Sequence, residues 1–324
     1  MLLLRLVCGM CLAALCCAYD LVGISPQMQL YADAIIDLAL AESNSTNSVV
    51  WQRLAYATDT FGPRLSGSDG LRNALTYVAA TATADGLTVS TQSVMVPAWV
   101  RGNEWARMTT PRNKTLHFLG LGGSNSSQGR VISGQVMVVK SRAELDARAS
   151  EVLGKIVVFN PPWVSYGANV GVRSGAAVWV AAYGGLAAIV KAVGPWGLQT
   201  PHTGGSATAA IPSGCVSMED ATQMQRMVDR GQTVTVELYM EAHYEDDAPS
   251  QNVIIDLPGT DLPNEFVTIG GHSDSWDVAE GAMDDGGGAF AAWHALLMVK
   301  RLGIQTRRTL RAVFWTKCVT ALHR

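Results

Sequence analysis

The order of apolar and polar residues divides the chain into elements before any other property is considered. Apolar side chains at 28, 30, 35, 36, 38 and 40 predict a first helix, and a polar patch over 43–48 predicts the loop that follows. A second helix begins over 49–58. The stretch FGPRLSGSDG at 61–70 is dense in turn formers, and Ser68 or Asp69 stands where a helix cap belongs. The helix it would start, 71–84, carries Leu71, Leu75 and Val78 on one face; Asp85-Gly86 stops it, and 87–96 reads as a strand.

Between 99 and 243 the texture changes. Short β-rich runs at 135–139, 155–159, 187–193 and 234–240 are separated by Gly- and Pro-rich turns, with a small buried helix over 174–183. This predicts a β-rich module with one or two helices. The acidic 244–250 segment reads as a linker. After it come strands at 252–257 and 266–271 (the second a buried one), a helix over 289–302 and a strand over 309–316. Strand, loop, helix and strand at this spacing form a βαβ unit, which argues for an α/β fold with a doubly wound mixed sheet. The expected division is therefore one discontinuous α/β domain over 19–114 and 241–316, interrupted by a β-rich insertion over 115–240, with 317–324 belonging to neither.

Composition narrows the function classes. At 324 residues, 48% hydrophobic and with a formal net charge of −3, the chain can bury a large core and gives no support for a nucleic-acid partner. Gly120-Leu121-Gly122-Gly123 lacks the spacing of a phosphate loop. Arg5, an apolar run over 6–17 and small residues at Cys16 and Ala18 predict a signal peptide over 1–18, cut after Ala18. That implies a secreted protein, extracellular or within the ER, Golgi or lysosome, with no membrane span. Only Cys215 and Cys318 would remain after cleavage, too few for a disulfide framework. Sequons at Asn44, Asn113 and Asn125 are the candidate glycosylation sites.

The chemistry concentrates in GGHSDSWDVAEGAMDDGGGAF, residues 270–290, between a strand end and a helix start. Ligand sites in open α/β sheets form at such strand ends. One imidazole among several carboxylates suits a cation such as Zn²⁺. His272 and Asp284 are the candidate metal ligands, and Asp274 is placed to orient the His272 ring through its distal nitrogen. Asp284 and Asp285 also have an ordinary reading, as acids favoured at a helix start by the macrodipole.

This stretch resembles the metal-binding signature of the secreted M28-type zinc metallopeptidases. The 61–70 turn is similar to that family's substrate-side entry motif, and GKIVVFNPPWVSYGANVGVRSGAAVWVAAYGG (154–185) resembles its protease-associated (PA) domain. The resemblance runs from about residue 31 to 316. It implies two zinc ions, with His272 on one, Asp284 bridging both and Asp274 behind His272. It also implies hydrolysis of dipeptides or short peptides by a metal-activated water, a glutamate as general base, and a homodimer.

The sequence departs from the pattern after residue 316. The family's Glu-Glu pair, base and ligand, would follow there; this chain reads KCVTALHR, and no Asp or Glu occurs between Gly286 and Arg324. No catalytic residue can then be assigned. The expectation is a C-terminally truncated, inactive form with weak or no zinc binding, and an unpaired sheet edge at 309–316. Glu280 does not occupy the position of the base. His294 is expected on a helix surface, His323 on the tail, and His202 and His243 in ordinary polar roles. The competing reading is a non-catalytic secreted binding protein that works through its insertion.

Overall fold

The computed structural model describes residues 23, 25–43 and 48–318. The expected signal segment, Asn44 and residues 319–324 with His323 lie outside them. Helices α1 (Pro26–Ser43), α2 (Val49–Phe61) and α3 (Asp69–Ala84) come first, followed by strand β1 (Thr88–Val96). Ser68 is the cap of α3: its hydroxyl accepts from the Leu71 N–H. Ser68→Ala is expected to cost about 1 kcal/mol, read by urea denaturation.

Strands β12 (Ala248–Leu257), β13 (Leu262–His272) and β14 (Arg308–Trp315) complete a four-stranded sheet in the order β1-β12-β14-β13. β1 and β12 are antiparallel from Thr88↔Asp256 to Val96↔Ala248. β13 and β14 are parallel, joined by α7 (Gly287–Arg301), which is the βαβ unit the sequence predicts. Leu71, Leu75 and Val78 of α3 and Phe290, Trp293 and Leu296 of α7 bury against Val253, Ile255, Ala312 and Phe314. The Trp293 ring meets the edge of Phe314 and carries the Arg53 guanidinium on its face.

Two expectations about this sheet are corrected. β14 is not an edge: β12 and β13 flank it on both sides. The edges are β1 and β13, and the apolar run of β13 is not buried, since Phe266, Val267 and Ile269 are all exposed. Apolarity in a short run marks a strand, but strand order decides which strand is covered.

The chain between β1 and β12 builds a separate eight-stranded sheet, ordered β4-β3-β10-β6-β7-β8-β9-β5. Its strands are β3 (Glu104–Thr110), β4 (Lys114–Thr115), β5 (Phe118–Gly120), β6 (Ile132–Val139), β7 (Ile156–Phe159), β8 (Ala187–Lys191), β9 (Ser213–Val216) and β10 (Thr235–Met240). A short ladder of β2 (Trp99–Val100) and β11 (His243–Tyr244) lies at its base, so 243–244 is not a bare linker. Because β3 and β4 belong to this sheet, the insertion starts before the expected boundary at 115. The module is also more helical than its sequence suggests. β6 to β9 run parallel. Alternate residues of β6 to β8 feed two cores, one packed with α6 (Met218–Asp229), the other with α5 (Tyr166–Ala181) and α4 (Arg142–Ala147). Parallel strands covered on both faces read as short continuous apolar runs, such as IVVF in β7, and conceal their helices.

Candidate metal-binding loop and the comparisons that place it

β13 ends on His272, and the loop 273–286 carries the remaining candidates before α7 begins. His272 Nδ1 lies 3.1 Å from Asp274 Oδ1 and 2.9 Å from the Asp274 carbonyl. Nε2 lies 3.0 Å from Asp284 Oδ1. The structure thus brings together the three residues that sequence spacing singles out. Asp274 is fully buried, and its two oxygens accept the Cys318 N–H at 2.9 and 3.0 Å. Asp284 is exposed. Its backbone is extended rather than helical (φ −120°, ψ 94°), so the helix-start reading fails for Asp284, and α7 opens only at Gly287.

The electrostatics follow from the contacts. The hydrogen bond to Asp274 raises the His272 pKa most; burial opposes it, and the charge of Asp274 adds to it, giving a value of about 9. A proton bound there is what a metal ion would displace. Asp285 turns under the strand end, where a Cβ on Gly271 or Gly288 would collide with its carboxylate. Gly281, at φ 59°, lets the loop turn in the left-handed region.

Arg64, in the 61–70 turn, is the residue that sequence reasoning missed. It is 4% exposed and donates to three carbonyls of the loop: Nε to Ser273 (2.9 Å), Nη1 to Glu280 (2.5 Å) and Nη2 to Gly281 (3.0 Å). Its backbone pairs with Ser275 in both directions. On the other side Arg101 holds Asp277 through Nε (2.6 Å) and Nη2 (2.8 Å), and Trp276 packs against Gly122 of the insertion. The loop is therefore held by the 61–70 turn on one side and by the insertion on the other.

The other histidines stand apart. His294 is buried, not on the surface, because α1 crosses α7 and Glu42 meets its Nε2 at 2.8 Å. His202 and His243 keep local polar contacts in the insertion and at its return. Glu280 contributes its carbonyl to Arg64. Among the described residues no group of three or more His, Cys, Asp or Glu side chains could hold a metal ion. His272 and Asp284 supply two donors with a supported imidazole, half of a tetrahedral zinc set. They fit part of a zinc site, not the whole of one. Of the sequons described, Asn113 is exposed between β3 and β4, whereas the Asn125 side-chain amide donates to the Ala209 carbonyl at 2.6 Å.

The sequence profile of Peptidase family M28 matches residues 252–317, from β12 across this loop to the end of β14. Carboxypeptidase Q of Xenopus laevis is 43% identical over 290 residues, which cover 88% of this chain and 61% of the relative. The human carboxypeptidase Q is 42% identical over the same shares. The chain belongs to peptidase family M28. It spans about 61% of the length of these curated relatives. Among solved structures, a peptidase M28 precursor from Shewanella amazonensis superposes with a TM-score of 0.83 at 28% identity, covering 89% of this chain and 68% of the other. A zinc aminopeptidase from Bacillus subtilis shares the fold at a TM-score of 0.59 and 17% identity, over 82% and 60% of the two chains. The mixed α/β architecture is thus the M28 fold. Among the described residues no helix is long and apolar enough to cross a membrane.

Proposed function

We propose that these residues are part of a secreted metallopeptidase of carboxypeptidase Q type, which hydrolyses dipeptides or short peptides with two zinc ions. In this reading His272 and Asp284 are metal ligands, Asp274 holds the His272 ring in place, and the 97–247 insertion is a protease-associated module. The chain would enter the secretory pathway through residues 1–18, carry glycans at its sequons and assemble as a homodimer. The observation that carries the reading is the convergence of His272 Nε2 and Asp284 Oδ1 at 3.0 Å, with Nδ1 engaged by Asp274. That arrangement leaves Nε2 to face a cation once its proton is lost.

The 324 residues alone supply no carboxylate in the place of the general base, so the second part of the proposal is that they do not hydrolyse peptides unaided. Purified chain with zinc and a dipeptide is expected to show no turnover above a His272→Ala control. Zinc-dependent turnover abolished by that substitution would overturn this part. A chimera joining residues 1–316 to the corresponding remainder of the frog carboxypeptidase Q is expected to hydrolyse dipeptides and to lose the activity with His272→Ala. A chimera that folds and stays inert would count against the peptidase reading itself. The competing reading, a binding protein that acts through the insertion, gains support from a feature far from His272.

A further inference from the structure

At the amino-terminal end of the insertion's parallel strands the surface opens into a cavity of about 330 Å³. That is the lower end of the range of small-molecule sites, roughly 300–1,000 Å³. Unequal strand lengths create it. β10 pairs with β6 from Ile132 onward, but β7 joins the other side of β6 only at Val136↔Ile156. Residues 132–135 therefore overhang the sheet with one flank unpaired. Val136 donates to Val234 on the β10 side, so alternation along β6 turns the N–H and C=O of Ser133 towards the unpaired flank. Ser133 is exposed, and these groups are open to solvent at the cavity wall.

The floor is aliphatic. Ile132 and Leu186 pack on one core of the insertion and Ile211 on the other, and all three are only partly buried. Gly134 lets Leu186 lie close under β6, since a Cβ there would meet the Leu186 side chain at 3.0 Å. Among the described residues that line the cavity there is no aromatic ring and no carboxylate. Its one charged group is Arg130. That residue is exposed, and its guanidinium makes no ion pair or hydrogen bond among the described residues. Val131 beside it is 52% exposed, so an apolar surface leads from the cation down to the floor.

Both segments that line the cavity are held in place without a ligand. The Ser127 N–H and hydroxyl donate to the Met240 carbonyl of β10 at 2.8 and 3.1 Å. The Ser124 hydroxyl accepts from the Ser213 N–H at 2.8 Å, and the Asn125 amide donates to the Ala209 carbonyl at 2.6 Å. The 124–131 loop is thereby tied to β10 and to the 209–213 segment. A wall fixed in advance spares a ligand the cost of ordering it.

We infer that this cavity binds the carboxyl-terminal end of a peptide whose last residue is aliphatic. The carboxylate pairs with Arg130, and the last side chain lies on Ile132, Leu186 and Ile211. The peptide's amides continue along the unpaired flank of Ser133, extending the sheet by a short stretch. A free aliphatic carboxylate could make the first two contacts but not the third. An N–H and a C=O left unpaired on one strand match an amide, which is why the ligand is a peptide. The site is independent of His272 and of the peptidase reading.

The experiment is calorimetric titration of the 324-residue chain with N-acetylleucylleucine, its carboxamide, and 4-methylpentanoate, an aliphatic carboxylate without an amide. The acid is expected to bind about tenfold more tightly than either of the other two, the fold-change of one charge-assisted contact in the first case and of the lost amide contacts in the second. Arg130→Gln brings the acid to the affinity of the carboxamide and leaves the carboxamide unchanged. The Arg130 side chain bonds to nothing within the fold, so this variant folds as the parent does. Val131→Asp, which sets a carboxylate beside Arg130, weakens the acid more than the carboxamide. His272→Ala leaves all three titrations as they were, which separates this result from the fate of the metal site. Equal binding of acid and carboxamide, 4-methylpentanoate binding as tightly as the peptide acid, no binding of any of the three, or a preference for the acid that survives Arg130→Gln would each overturn the inference.

Discussion

Replacing Arg64 with Met is expected to cost about 3–5 kcal/mol of stability, the usual range for breaking one partner of a buried charged contact. Met keeps the length and apolar stem of Arg64 but supplies none of its donors. Four carbonyls then lose a charged partner: Ser273, Glu280 and Gly281 in the metal loop, and Gly62 beside it (3.3 Å). Each is worth roughly 1.5–3 kcal/mol when the donor is charged, and the sum is partly offset because burying the guanidinium is itself unfavourable. That penalty shows in Arg64's pKa, which burial lowers and the charge of Asp274 partly restores. Lys at this position is expected to recover little, since one ammonium cannot serve acceptors spread across a planar fork. Chemical denaturation gives the size of the loss, and amide exchange over 273–281 gives its place. A variant within about 0.5 kcal/mol of the parent, the range of an ordinary surface change, would show that Arg64 does not hold the loop.

The second large effect concerns the proton on His272. The folded value is about 9 against an ordinary histidine value of 6.5, so the folded state holds the proton more tightly. The stabilisation is fully present below pH 6.5 and is lost as pH rises through 9. It amounts to about 3 kcal/mol at one pKa unit per 1.36 kcal/mol. Since Asp274 is the largest cause, Asp274→Asn is expected to move the midpoint back towards 6.5 and to flatten stability between pH 6.5 and 9. NMR of the imidazole in metal-free protein reads the midpoint directly. A parent midpoint at or below 6.5 would mean that the Asp274 contact does not form in solution. Zinc needs the deprotonated ring, so zinc binding near neutral pH is expected to release a proton from the parent protein and less from Asp274→Asn.

Much of the candidate site was legible because its residues lie within a dozen positions of one another. His272, Asp274 and Asp284 follow one strand end, and strand-loop-helix order alone brings them together. The βαβ unit was legible for the same reason, a short apolar run over 266–271 giving way to a helical pattern over 289–302. What escaped was set by distant chain. Arg64 sits in a turn with no periodicity, about 210 residues before the carbonyls it binds. His294 looks like a surface position until α1 brings Glu42 against it. Strand order is equally silent in a sequence: nothing in 309–316 or 266–271 says which will be flanked on both sides. In the insertion, strands covered on both faces hide the alternation that would have marked them.

The pairing of β1 with β12 has a consequence for synthesis. Val96 waits for Ala248 before the first ladder can start to close, and everything between them is the insertion. At roughly 5–20 residues per second the wait is on the order of ten to thirty seconds. The insertion, with its partners contiguous in sequence, has everything it needs to fold within that interval. The amino-terminal helices do not. Their apolar faces at Leu71, Leu75 and Val78 stay uncovered until β12 and α7 arrive. For that interval a chaperone would find its binding site at the start of this chain, ahead of a module that is already folded.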